Sequence, residues 1–144
     1  MKVLCRTNEL AELHLSAYHR SFFERYLQND HPVWNAEVGT EYTVYAISII
    51  RACPFYCVNV PRGWGGRWGR IPSVCFDIID PRPSQYWQFG TRVVRSGDNE
   101  VFHTTLAIPE WINEPMFLQN LVESNAREVS IMAAASAKMD AEFS

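Results

Sequence analysis

Residues 41–50 constrain this chain more than any other stretch. Tyr42, Val44, Tyr45, Ile47, Ile49 and Ile50 are all β-branched or aromatic, and they fall on both parities of an extended chain. Side chains alternate sides along a strand, so apolar residues on both parities require cover on both faces. Such a strand belongs in the middle of a sheet. Arg51, Ala52, Cys53 and Pro54 then read as a turn, and residues 55–60 as the returning hairpin partner. A third strand is expected over residues 73–79, stopped by Asp80, Pro81, Arg82 and Pro83. Residues 92–95 and 100–107 flank Ser96, Gly97, Asp98 and Asn99, a good hairpin turn. Residues 2–6 fit a short edge strand, and residues 84–89 either an extended segment or one helical turn.

Helical spacing surrounds this β-rich middle. Ser16 is placed to cap a helix carrying Tyr18, Phe22, Phe23, Tyr26 and Leu27, which Asn29, Asp30, His31 and Pro32 end. Residues 33–40 read as loop. Pro109 and Pro115 suit first-turn positions, where a missing N–H is harmless, and open two short helices over residues 110–112 and 116–124. Asn125 and Glu128 have capping-box spacing ahead of a last helix to about residue 139, with Val129, Met132, Ala133 and Ser136 along one face. A chain of 144 residues is an ordinary single domain, here residues 1–144. The element order predicts an α+β fold: an antiparallel sheet of about five strands with an N-terminal helix and C-terminal helices packed on it.

Composition excludes more functions than it suggests. The net charge of −3 argues against a dedicated nucleic-acid binder, which neutralises phosphates with basic residues. No window approaches the ~20 apolar residues of a membrane helix, and the first residues lack a signal peptide's apolar run, so the expected location is the cytoplasm. Cys5, Cys53, Cys57 and Cys75 do not form metal-ligand spacings and read as buried free thiols. His14 and His19 are five apart and do not share a helix face, so no metal is expected. No nucleophile-elbow, phosphate-loop or dinucleotide motif is present, and no cofactor is called for. Cys57 or Cys75 with His103 is the best available nucleophile and base, while Asp77 and Asp80 point to opposite sides of a strand.

Residues 61–72 stand apart. Four of the seven glycines, with Arg62, Arg67, Arg70, Trp64 and Trp68, crowd into this one connection. Glycine frees the backbone, and Arg and Trp dominate binding hot spots. The segment reads either as a partner-contacting loop anchored by those residues, or as a lid whose rings fold back over the sheet. A nucleic-acid variant would stack bases on the rings beside Arg67 and Arg70. Asp98 and Glu100, with other acidic residues of the last third, supply a second candidate surface for a basic partner.

Residues 41–48 followed by Phe55, Tyr56, Cys57 and Val58 resemble the opening hairpin of small bacterial immunity proteins found beside polymorphic toxins. The segment from Ile71 and Pro72 to Asp80, the later Trp87, and the tail with Pro109, Glu110, Trp111, Phe117 and Asn125 are similar to the rest of that pattern, which spans about residues 41–140. The resemblance implies an antitoxin: a non-enzymatic protein that binds one cognate effector domain of a contact-dependent or type VI secretion system and occludes its active site. On that reading Arg62, Trp64, Arg67, Trp68, Arg70, Asp98 and Glu100 are the partner-binding residues.

Overall fold

The segment with two apolar faces is divided between two sheets. The computed structural model describes residues 1–27, 34–96 and 99–144. Strands β1 (Lys2–Cys5), β2 (Glu41–Thr43) and β6 (Phe76–Asp80) form one antiparallel sheet in the order β2-β1-β6. Strands β3 (Ala46–Ile50), β4 (Cys53–Trp64), β5 (Trp68–Pro72), β7 (Gln88–Ser96) and β8 (Asn99–Ala107) form the other, in the order β5-β4-β3-β8-β7. The expected strand over residues 41–50 therefore breaks at Val44 and Tyr45. There the Val44 N–H donates to the Met1 carbonyl at 3.0 Å, and the Tyr45 N–H to the Cys57 carbonyl at 2.8 Å. Adjacent backbone donors thus serve different sheets. Both side chains at this corner are buried, which is why apolar residues occupy both parities.

Three further boundaries differ from expectation. β1 is the centre of its sheet, not an edge. The third strand starts at Phe76, because a 3-10 turn at Ser73–Cys75 interrupts it and β5 has already formed. The turn between β3 and β4 is only Arg51 and Ala52, with φ of +50° and +61°. Pro54 lies inside β4 opposite Ile49, one residue beyond the last β4–β5 pair at Phe55, so its missing N–H breaks no rung with β5.

Helix α1 (Ala17–Leu27) begins as the sequence predicts, with the Ser16 hydroxyl accepting the His19 N–H at 3.2 Å. Phe22 and Phe23 from it meet Phe55 in edge-on ring contacts. The expected helix stop at Asn29, Asp30, His31 and Pro32 lies outside the described residues. Pro109 occupies the first turn of α2 (Pro109–Asn113), whereas Pro115 precedes α3 (Phe117–Val122). The last helix, α4 (Ala126–Glu142), follows Asn125 without a side-chain cap bond. Glu128 turns instead to the Asn120 amide at 3.2 Å and to Arg127 at 2.9 Å. Met132 and Ser136 on the predicted face are fully buried, joined by Glu128 and Met139, while Val129 and Ala133 are half-buried.

One apolar cluster gathers α1, β1 and Cys53, Phe55, Tyr56, Val58 and Val60 of β4; a second lies between the larger sheet and the C-terminal helices, around Trp68, Trp111, Phe117, Leu121, Met132 and Met139. Trp87 packs against both and donates its indole N–H to the Tyr45 carbonyl at 2.8 Å. Among the described residues no helix is long and apolar enough to cross a membrane.

Candidate functional site

Residues 61–72 are a β-hairpin, not a loop. β4 runs on to Trp64, β5 starts at Trp68, and Gly65 and Gly66 make the turn at φ of +57° and +78°. A register shift between Asn59 and Trp64, with Arg62 at φ +61°, bends the hairpin. Its end rests on α4. A Cβ on Gly65 would stand 2.8 Å from Val129 Cγ2 and 3.1 Å from Trp68 Cζ3, so glycine lets the two elements close. Trp68 is 0% exposed and donates its indole N–H to the Ser136 hydroxyl at 3.0 Å. This corrects its assignment as a partner anchor: the ring is spent inside the fold.

Of the other predicted partner-binding residues, the side chains of Arg62, Arg67 and Arg70 are described. Arg62 and Arg67 are exposed near the hairpin end, with the Arg67 guanidinium 5.5 Å from the Trp68 ring centre. Arg70 is half-buried and lines a cleft under the C-terminal helices. Asp98 and the side chains of Trp64 and Glu100 lie outside the described residues.

Neither cysteine of the suggested nucleophile–base pairs is an activated thiol. Burial pushes the Cys57 thiol up to about 12 against the lowering influence of Arg70, and burial beside Cys5 does the same for Cys75. A thiol in that range stays protonated at neutral pH and is a poor nucleophile. The two cysteines also belong to different apolar clusters. Burial first, and then the Arg70 and Arg92 charges, hold His103 below the ordinary histidine range. Asp77 faces Arg6 at 3.8 Å, and Asp80 is held low by hydrogen bonds from Arg82. Among the described residues no group of three or more His, Cys, Asp or Glu converges.

What sequence reasoning missed is the orientation of the β7–β8 hairpin. In its register Val93 stands opposite Phe102, Thr91 opposite Thr104 and Phe89 opposite Leu106. Phe89 is 67% exposed, Phe102 63% and Val93 46%. The alternate row, Gly90, Arg92, His103 and Thr105, faces the helices. Ordinary alternation would send the apolar row inward and the polar row to water. Gly90 explains the inversion: a Cβ there would stand 2.6 Å from Ile112 Cγ2, so α2 sits directly on this glycine and only its row can face α2. The one available signal was that glycine, flanked by Phe89 and followed by Arg92.

Comparison with protein-family models, with curated proteins and with solved structures finds no match to the chain.

Proposed function

We propose that this protein is an immunity-type inhibitor that binds one cognate effector domain, and that it does so through the outer face of the β7–β8 hairpin. The observation that carries the reading is the uncovered row of Phe89, Val93 and Phe102. Clustered large apolar side chains are expensive to leave in water, and on a folded surface they mark interaction sites. Covering one such ring contributes about 1.5–3 kcal/mol, enough for two phenylalanines to act as hot spots. β7 is also the edge of its sheet and offers free backbone rungs to a partner strand. The pattern in residues 41–140 that resembles immunity proteins supplies the class of partner. Arg62 and Arg67 remain available on the surface as polar contacts, while the nucleic-acid alternative loses the ring at Trp68 on which bases would stack.

Co-expression with the toxin gene neighbouring this one provides the test. The expected result is a stable complex and relief of toxicity. Phe89→Asp with Phe102→Asp should leave the circular dichroism spectrum intact and weaken the complex at least about 100-fold, two hot-spot contributions combined. An unchanged dissociation constant in the double variant removes this face from the interface, and persistent toxicity without a complex removes the function.

A further inference from the structure

The inward row of the same sheet builds a second, separate feature. Arg70 on β5 pairs with Cys57, which pairs with Ala46, two residues from Ser48 on β3. Ser48 stands opposite Thr105 on β8, and His103 opposite Arg92 on β7. Alternation therefore puts Arg70, Ser48, Thr105, His103 and Arg92 on one side of the five-stranded sheet, on β5, β3, β8 and β7, with Cys57 of β4 between the first two. They floor a cleft of about 370 Å³ whose opposite wall is Trp111, Ile112 and Leu118, with Gln119 at the side. That volume is at the small end of ligand sites.

The electrostatics of this cleft are one-signed. Two guanidinium groups and an imidazole converge, and no carboxylate lines the cleft among the described residues, in a chain whose net charge is −3. Positive charge held under low-dielectric walls favours an anion beside it. Arg92 is braced in place: its Nη1 donates to the Pro115 carbonyl at 2.9 Å and its Nη2 to the Trp111 carbonyl at 3.5 Å. Its charge is thus fixed beside the ends of α2 and α3 without a counter-ion. Burial first, and then the Arg70 and Arg92 charges, hold His103 low in the same cleft. The inward row carries Arg92 and His103 while Phe89 and Phe102 stay in water, a break of patterning of the kind that concentrates at functional sites.

We propose that this cleft binds a small phosphate monoester with an aromatic or apolar body, the phosphate against Arg70, His103, Ser48 and Thr105 and the body against Ile112 and Leu118. Guanidinium groups match phosphate oxygens in geometry and charge. A phosphate's three terminal oxygens use more of the converging donors than the two of a carboxylate. The apolar wall selects for the body, and a bare anion cannot use it.

Phenyl phosphate is the probe, titrated into the full chain and followed by amide chemical shifts and by the melting temperature. Saturable binding with a dissociation constant at or below about 1 mM is expected, with inorganic phosphate at least about tenfold weaker and phenol silent. Arg70→Gln and, separately, His103→Gln should each weaken phenyl phosphate at least about tenfold, as loss of one charge-assisted hydrogen bond requires, with Arg70→Lys recovering part of it. Because the outer face is not involved, the Phe89→Asp, Phe102→Asp variant should bind phenyl phosphate as the wild type does; this separates the cleft from the partner surface. The proposal is overturned if the wild type shows no saturable shift, if inorganic phosphate binds as tightly as phenyl phosphate, or if folded Arg70→Gln and His103→Gln both bind like the wild type. Should Arg70→Gln fail to melt cooperatively, His103→Gln and Thr105→Val decide alone.

Discussion

Trp68 distinguishes a core residue from a surface anchor, and a mutational cycle with Ser136 shows which it is. Its side chain is 0% exposed, and its indole N–H is closed by the Ser136 hydroxyl at 3.0 Å. Trp68→Ala removes a fully buried ring and should cost about 3–5 kcal/mol, a large part of the 5–15 kcal/mol total of an ordinary domain. Ser136→Ala leaves the ring in place but orphans its buried N–H, for about 1–3 kcal/mol. Trp68→Phe loses ring volume instead; the hydroxyl left behind can bond to its own helix carbonyl four residues back, so it is not orphaned. The two changes share one hydrogen bond and should not add: the double variant should be milder than the sum by about 1–2 kcal/mol. Urea unfolding followed by circular dichroism measures all four corners, with the slope unchanged if compactness is preserved. A Ser136→Ala variant within about 0.5 kcal/mol of wild type and a coupling near zero would mean the indole reaches water. A Trp68→Ala protein of unchanged stability that had lost its partner would restore the ring to the surface and sink the packing argument.

Three other outcomes can be checked directly. Ala52 sits at φ +61° in a two-residue turn, a conformation costing an L-residue about 1–2 kcal/mol, partly offset by glycine's extra unfolded-state entropy, so Ala52→Gly should raise the melting temperature by a net stabilisation of up to about 1 kcal/mol; a lower melting temperature contradicts this. His103, facing Arg70 from β5, Arg92 from β7 and only uncharged residues from α2 and α3, should titrate below the ordinary value near 6.5 by NMR and move up in Arg70→Gln. Its folded form binds the proton less well than the unfolded form, so its contribution to stability is present above about pH 6.5 and is lost as pH falls through the depressed folded value. All four thiols are buried, so a disulfide-exchange reagent at pH 8 should find none in the native protein and four in denaturant; rapid native labelling of Cys57 or Cys75 would contradict their elevated values.

Much of the secondary structure was legible in the sequence because its signals are local. The Ser16 cap, the proline opening α2, the pairing of residues 55–57 with β3 and the flanks of the β7–β8 hairpin depend on neighbours a few positions away. The candidate surfaces were less legible. The glycines, arginines and tryptophans of residues 61–72 look alike on paper whether a ring points out or in. Trp68 points in because Gly65 lets the hairpin close on Val129 and because Ser136, far along the chain, offers its hydroxyl.

The two apolar parities of residues 41–50 determined by themselves that this stretch is buried on both sides. They did not determine by what. Tertiary structure decided that the stretch bends at Val44 and Tyr45 and is shared by two sheets, since only the arrival of Met1 and Cys57 supplies the two carbonyls that take its backbone donors. It decided equally which side of the β7–β8 hairpin meets water. Strand alternation defines two rows but not their direction, and the choice fell to α2, whose Ile112 fits only against Gly90.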